Sequence, residues 1–449
     1  MTSLLDTLRQ FVDRQPQVKR WVVAYSGGLD SSVLLYGMAQ LSLSAPLVAV
    51  HVNHGLSPKA DDWQRHCEDF CRQLNVEIQG HSVLVERRGR GLEDAARAAR
   101  YQVFETFMSA ETGLLLAHHR NDQAETLMLR LMRGSGTRGL SAMAAERALG
   151  DGTLYRPLLD LDRQVLWQQA KDWNLSWIED ESNSDTEFDR NFLRSQVLPA
   201  LVERWPNLTE QWAQSAAWCR EADSLVSEVA VEDLSLAAPR SERLGKSLDL
   251  SAMASLSVYR RGNLLRLWFE QLGVSAPDKN LLNAIDSQFV EGRPDSAAEL
   301  HWQSLSIRRF KQRLYFLPFC PVPESDTSLT AAAGESAPSV SGWKGQRTAW
   351  GRGWIELEAV AEGGFRMPPQ GFEVSRRRQG ERCHPSWRDK SQSLKKLLQE
   401  SHLEPWLRDQ MPCLRLDDQL LVAADLWHCR GQGARAGNGY RLRWHIDAE

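Results

Sequence analysis

Long apolar runs are missing. No stretch of the 449-residue chain approaches the ~20 apolar residues that a membrane-spanning helix needs, and Met1-Thr-Ser-Leu-Leu-Asp6 has no basic segment leading into an apolar one. Neither a membrane span nor a secretory leader is expected, and the cytoplasm is the plain expectation. Cysteine is sparse: seven residues, an odd number, with no C-x2-C pair. That excludes a disulfide framework and leaves a zinc ribbon or a thiolate-bound iron–sulfur cluster without its ligand spacing. Cys67 and Cys71, four apart on an expected helix, read as packed, reduced thiols. A strong excess of one charge is also absent. The net charge is −4, so any contact with nucleic acid must come from local patches: Arg87-Arg88-Gly-Arg90, Arg130 to Arg138, Arg308-Arg309 or Arg376-Arg377-Arg378. Any one of these could equally be a solvated surface. Finally, no GxxxxGK[ST] loop with its lysine is found, which excludes a Walker-type phosphate site.

What remains is the composition of a globular protein of two or three domains, 42% apolar and 25% charged, with 17 tryptophans that mostly lie among apolar neighbours and serve cores. Its most informative stretch is Trp21-Val-Val-Ala-Tyr-Ser26-Gly27-Gly28-Leu29-Asp30-Ser31-Ser32. An aromatic and β-branched run predicts a strand covered on both faces. Two glycines then break it, and Leu29 to Leu41 carries helical spacing. The unpaired amides at such a helix start form an anion site, so Ser26, Gly27, Gly28, Leu29, Asp30 and Ser31 are candidate phosphate-binding residues. The bland alternative, a strand-to-helix turn that merely needs glycine, does not account for the serines and aspartate gathered there.

A second apolar strand, Pro46 to Val52, ends in His51-Val-Asn53-His54-Gly55-Leu56. Ligands of parallel sheets lie beyond the strands' carboxyl ends, so this segment, with His51, should border a nucleotide. With no third ligand nearby, hydrogen bonding or packing suits His51 and His54 better than metal binding. A helix (59–74) and a strand (76–85) follow. Gly91-Leu-Glu93-Asp-Ala-Ala-Arg97-Ala-Ala-Arg100-Tyr101 then puts Glu93, Arg97, Arg100 and Tyr101 within reach along one helix side, either as a surface ion pair or as arginines facing phosphate. The strand Gly113 to Ala117 leads into His118-His119-Arg120-Asn121-Asp122-Gln123-Ala-Glu125. Asp122 and Glu125, three apart at a helix start, can face one pocket and hold Mg2+ or orient an amine. They can also serve as first-turn acids of a capped helix, and both readings can hold at once. Trp177-Ile-Glu179-Asp180-Glu181-Ser-Asn183-Ser-Asp185 is an acidic, turn-rich loop that could attract a cationic substrate, and Asp189-Arg190-Asn191-Phe192-Leu193-Arg194 begins a helix.

The alternation of strand and helix predicts a doubly wound parallel α/β domain over 1–207. A mainly helical domain is expected over 208–322, helical from Leu208 to about Phe289 with Trp212, Trp218, Leu225, Leu264, Leu267 and Trp268 in its core, and with a strand pair within 299–318. A linker rich in Ser, Ala, Pro and Gly occupies 323–345, and a small α+β domain 346–449.

Ser26-Gly-Gly-Leu-Asp30-Ser31 resembles the loop of the N-type ATP pyrophosphatases, the PP-loop enzymes with an adenine nucleotide alpha hydrolase-like fold. His-Val-Asn-His-Gly-Leu (51–56), Ala-His-His-Arg-Asn-Asp-Gln-Ala-Glu-Thr (117–126), Arg-Gly-Ser-Gly (133–136), Arg-Pro-Leu-Leu (156–159) and Arg-Asn-Phe-Leu-Arg (190–194) extend the resemblance, in order, to the tRNA(Ile)-lysidine synthetase family. The tail resembles that family's C-terminal domain more loosely. Arg120-Asn121-Asp122 departs from it where the family often carries a further acid. The resemblance implies an ATP-dependent C–N ligase that attaches L-lysine to the wobble cytidine of a CAU-anticodon tRNA(Ile) through an adenylated tRNA. It implies ATP as substrate, with phosphates held by Ser26 to Ser31 and bordered by His51 and His118, and Mg2+ at Asp30 and Asp122. Asp122 and Glu125 would orient lysine, Arg97, Arg190 and Arg194 would stabilise phosphate or RNA charge, and the later domains would grip tRNA. The oligomeric state, a homodimer included, is left open. Three competitors lack support. A base-thiolating relative would need a cysteine pair beside these motifs, a small-molecule amide ligase would not need the arginine-rich tail, and a non-catalytic RNA-binding module would tolerate loss of Asp30, Asp122 and Glu125.

Overall fold

The structure is a computed structural model. It describes residues 3–55, 57–84, 92–181, 185–293, 298–319, 329–332, 347–368, 371–434 and 439–447. The Arg87-Arg88-Gly-Arg90 cluster, Leu56, Gly91, Asn183, Cys320 and most of the 323–345 linker lie outside these, as does the Glu93 side chain. The chain divides into two compact units, Met1–Leu225 and Val226–Glu449.

The first unit is built on a six-stranded sheet. Its strands are β1 (Arg20–Ala24), β2 (Leu47–Asn53), β3 (Glu77–Ser82), β4 (Thr112–Leu115), β5 (Glu146–Leu149) and β6 (Gly152–Tyr155), in the spatial order β3-β2-β1-β4-β6-β5. All neighbours are parallel except β5 with β6. Its helices are α1 (Leu4–Asp13), α2 (Leu29–Ala39), α3 (Ala60–Gln73), α4 (Leu92–Glu105), α5 (Arg120–Met132), α6 (Thr137–Leu140), α7 (Arg163–Asp172), α8 (Asp189–Phe192), α9 (Leu198–Arg204) and the part of α10 (Leu208–Leu236) up to Leu225. Two apolar layers flank the sheet. Trp21, Val23, Leu34, Leu35 and Met38 are buried on one side, and Val22, Val50, Leu114 and Leu154 on the other. This two-sided burial explains the near-continuous apolar runs of β1 and β2. Strand order reverses between β1 and β4, so the loops leaving their carboxyl ends flank a topological switch point, the place where such sheets bind ligands.

The second unit holds a five-stranded antiparallel sheet, Arg240–Ser241, Lys246–Asp249, Arg313–Pro318, Leu305–Phe310 and Glu299–Trp302, packed with the helices Leu250–Ser255, Val258–Gln271 and Lys279–Ile285 around Leu264, Trp268, Phe269, Ile285 and Phe316. Three further antiparallel sheets and the helix Leu394–Glu400 enclose a core of Ile355, Leu357, Val374, Leu398, Leu414 and Leu442. Within the expected linker, Leu329–Ala332 is a strand paired with Gly371–Arg376.

Two expectations are corrected. The stretch from 208 to 289 is not helical throughout, because Lys246–Asp249 pairs with Arg313–Pro318. Those four residues carry no alternating apolar signal, and their strand state comes from a partner far along the chain. Trp218 and Leu225 are not core but 62% and 63% exposed. On α10 the buried residues Ala216, Ala230 and Leu234 share one stripe, and at about 100° per residue Trp218 and Leu225 fall on the opposite face. Among the described residues, no helix is long and apolar enough to cross a membrane.

Candidate active site

The loop after β1 is shaped by its own side chains. Ser26 Oγ and Ser31 Oγ lie 3.0 Å apart, Ser31 Oγ donates to the Gly28 carbonyl at 3.0 Å, and Ser32 Oγ donates to the Gly27 carbonyl at 3.3 Å. Gly27 has φ +82°, and a Cβ there would stand 2.3 Å from Ile178 Cδ1 and 2.8 Å from Cys67 Sγ. The Ile178 amide donates to the Gly27 carbonyl at 2.9 Å, so the loop is pinned from that side too. Gly28 differs. Its φ is −72°, and a Cβ would meet nothing closer than Ser26 Oγ at 3.5 Å. It is the N-cap of α2 and makes no side-chain capping bond, which leaves the helix's first amides open to an anion. Leu29 contributes its backbone to this turn while its side chain is buried in the core. His51 lies under the loop, with Nδ1 3.0 Å from the Tyr25 carbonyl and 3.5 Å from Cys67 Sγ, and burial pushes its pKa down.

The loop after β4 brings the acids. His119, 1% exposed, is the N-cap of α5, and its backbone N–H donates to Asp122 Oδ2 at 3.0 Å. Its Nε2 is 3.6 Å from Asp30 Oδ2 and 3.5 Å from Asp122 Oδ2, so one imidazole joins the phosphate loop to the acid pair. Burial alone would lower its pKa, but the carboxylates of Asp30 and Asp122 outweigh that and raise it. Asp122 and the fully buried Glu125 are clamped by two guanidiniums four residues apart, Arg190 on α8 and Arg194 on the π-helical turn Leu193–Val197 that follows it. Arg190 Nε donates to Glu125 Oε2 at 2.7 Å and its Nη2 to Asp122 Oδ1 at 3.0 Å. Arg194 Nε donates to Glu125 Oε1 at 2.6 Å, and its Nη2 to Asp122 Oδ1 and Glu125 Oε2, each at 2.9 Å. The quartet is electrically balanced and bidentate, the arrangement in which buried charges are tolerated. Burial pushes the Asp122 carboxyl upward, but the charges of His119, Arg190 and Arg194 prevail and hold it at about 2.

His118 and Arg97 stand apart from that quartet. His118 Nδ1 accepts from Arg156 Nε at 3.1 Å, and burial followed by neighbouring guanidiniums pushes its pKa down to about 3, so it is a neutral imidazole. Arg97 lies over the Tyr101 ring at 5.2 Å and Arg147 at 5.1 Å. Arg97, Arg147 and Arg156 thus form a cationic cluster around Tyr101 that acts on His118. The acid oxygens available to a metal are unequal: Asp122 Oδ1 is taken by both arginines, whereas Asp30 Oδ1 is buried and has no hydrogen-bond partner.

Sequence reasoning missed His119, Arg156, Arg163 and Ile178. His119 had a usable signal, standing directly before α5 in the same histidine pair as His118. Arg163, whose amide is held by Asn121 Oδ1 at 3.0 Å, places Nε 4.0 Å from Asp30 Oδ1. It carried no signal, because its proximity comes from the packing of α7 on α2.

Strand order, switch point and loop together define a PP-loop enzyme fold, and the PP-loop domain family model matches residues 2–201. Models described as the TilS substrate binding domain and the TilS substrate C-terminal domain match residues 248–315 and 372–444. Curated relatives called tRNA(Ile)-lysidine synthase match along nearly the whole chain. The one from Coxiella burnetii (strain RSA 493 / Nine Mile phase I) is 34% identical over 99% of this chain and 96% of its own length. That of Serratia proteamaculans (strain 568) is 39% identical over 94% and 95%, and that of Edwardsiella ictaluri (strain 93-146) 35% identical over 99% of both. The chain belongs to the tRNA(Ile)-lysidine synthase family.

Proposed function

We propose that this chain joins the ε-amine of free L-lysine to C2 of the cytidine at the first anticodon position of a CAU-anticodon tRNA(Ile). ATP first adenylates the C2 oxygen and pyrophosphate leaves; the amine then displaces AMP, giving lysidine and a tRNA that reads AUA as isoleucine. The observation that carries this reading is the end-to-end match to the curated tRNA(Ile)-lysidine synthases, 99% of this chain in the first relative cited.

The residues fit the chemistry. The open amides of Leu29 to Ser31 and the Ser26 and Ser31 hydroxyls suit the phosphates of ATP. A C2 oxygen is a poor leaving group until AMP is attached to it, and lysine's amine, with a solution pKa of ~10.4, must lose a proton to attack. Asp122 and Glu125 orient that amine, and Arg190 and Arg194 share their charge with a carboxylate or phosphate of the substrates. Arg97 and Arg156, beside a neutral His118, face RNA charge or the base. The unpartnered Asp30 Oδ1 is a hard oxygen of the kind Mg2+ selects, so Asp30 and Asp122 would hold the ion, which when bound neutralises phosphate charge. The second unit grips the tRNA body. The cytoplasm is the compartment that suits the free thiols of the described cysteines.

The test is AMP release from ATP with Mg2+, CAU-anticodon tRNA(Ile) and lysine added singly and together, with retention of radiolabelled lysine on the tRNA. Release that requires both tRNA and lysine is the expected result. Release indifferent to lysine overturns the assignment.

A further inference from the structure

We propose that Arg163 is the cation that receives the departing pyrophosphate, a role that rests on the adenylating function proposed above. Three observations carry it. First, the phosphate loop has no lysine of its own, and the guanidiniums nearest the acid pair, Arg190 and Arg194, already bind Asp122 and Glu125 through their Nε and Nη2 atoms. Loop amides alone are a poor counterweight to a leaving group that gains charge as the bond between the α-phosphorus and its bridging oxygen breaks and the electron pair passes to pyrophosphate.

Second, Arg163 is held at the loop by rigid structure while its guanidinium stays uncommitted. Its amide is bound by Asn121, the Arg120 amide grips the adjoining Leu161 carbonyl at 2.9 Å, and Asp162 caps α7 by accepting from the Gln164 amide. At the C-cap of the same helix the Trp173 ring packs, tilted by 35°, against Tyr36 of α2 with centroids 4.7 Å apart, which joins the two helices. Yet the Arg163 guanidinium makes no hydrogen bond among the described residues and is 48% exposed, with Asp30 at 4.0 Å as its ionic neighbour.

Third, Asp30 separates two sides. Its Oδ2 faces His119 and, through it, the acid–arginine quartet; its Oδ1 faces Arg163. Displacement at phosphorus places the attacking and leaving oxygens roughly in line on opposite sides of the phosphorus. The base to be adenylated must lie on the quartet side, where the amine will later attack it. The leaving pyrophosphate therefore exits on the Arg163 side.

The experiment is equilibrium titration of the full chain, wild type, R163Q and R163K, with ATP, inorganic pyrophosphate and AMP in Mg2+ buffer. Charge-assisted hydrogen bonds to phosphate set the expected loss for R163Q at about ten- to a hundredfold for ATP and pyrophosphate, with AMP, which lacks the two outer phosphates, within about twofold of wild type. R163K, which keeps the charge but not the fork, falls between. In turnover, R163Q raises KM for ATP, leaves KM for lysine unchanged and weakens product inhibition by pyrophosphate but not by AMP. Equal losses for all three ligands would show that Arg163 merely supports the loop through Asp30, and unchanged pyrophosphate binding would remove it from the site; either overturns the proposal. A wild-type chain that binds neither ATP nor pyrophosphate overturns the functional reading itself, whereas normal wild-type binding with an indifferent R163Q overturns the Arg163 assignment alone.

Discussion

His119 Nε2 stands between two carboxylates, 3.6 Å from Asp30 and 3.5 Å from Asp122, and so ties the end of β1 to the end of β4. Its pKa is raised in the folded chain, chiefly because these carboxylates outweigh its burial. A group raised above its unfolded value stabilises the fold below that unfolded value and loses the contribution as pH climbs through the folded value. Wild type and H119Q, followed by thermal unfolding from about pH 5.5 to about pH 9, should therefore differ most at the acid end and converge as the imidazole titrates. A gap that widens with pH would mean the histidine is neutral and the ion-pair account is wrong.

Glu125 is fully buried, and Arg194 supplies two of its three hydrogen bonds among the described residues. Removing the guanidinium leaves a buried carboxylate half-answered, and losses of this kind run to about 3 kcal/mol. R194M should lower the unfolding midpoint of the first unit markedly, and E125L/R194M should recover part of the loss while remaining inactive, since an apolar pair no longer strands a charge. Scanning calorimetry of the two single variants and the double variant measures the coupling. Strictly additive losses would show that the four groups do not act as a unit.

The catalytic layer of this fold was legible because its signals are local. Alternating strand and helix, Gly-Gly after an apolar strand and acids opening a helix each need a window of a dozen residues, and β1, α2, β2 and α5 fall where those patterns put them. Asp122, Glu125, Arg190 and Arg194 were legible as residue types, but their clamp was not, since it joins positions 65 to 72 residues apart. The run from Arg376 to Arg382 was legible as charge but not by its partners. Arg377 pairs with the exposed Asp409 and Arg378 with the exposed Asp418, at the surface, whereas Glu381 pairs with the fully buried Arg415, so the run mixes surface charge with a core ion pair. Charge along a sequence does not reveal its partners; only the fold supplies them.

Asp122 is held at about 2 by His119, Arg190 and Arg194 against the opposing effect of burial. A carboxyl whose folded pKa is depressed contributes stability above its unfolded value of 3.8, lost as pH falls toward the folded value. Asp122 is thus ionised across the working range. Lysine-dependent AMP release should show no acid limb from this residue between about pH 5 and about pH 8, where an ordinary carboxyl is itself already past its titration. D122N should lower the rate by a similar factor throughout, and rate–pH profiles of both proteins test this. A wild-type acid limb that disappears in D122N would place the proton on Asp122 during turnover and contradict the clamp.

The two loop glycines separate fold from function. Gly27 takes φ +82° and has Ile178 Cδ1 within 2.3 Å of where a Cβ would lie, so G27A meets both a backbone penalty and overpacking. Together these come to about 2–4 kcal/mol, and G27A should lose stability first and activity as a consequence. Gly28 has an ordinary φ of −72° and room for a methyl group, so its fold does not require glycine. G28A should unfold within about 1 kcal/mol of wild type, yet the added methyl stands at the mouth of the α2 amides and should weaken ATP binding at least about tenfold. Paired thermal unfolding and ATP titration of the two variants decide the matter. If G28A binds ATP normally, the phosphates do not approach the backbone at the start of α2, and the anion site must be sought on the far side of Ser31.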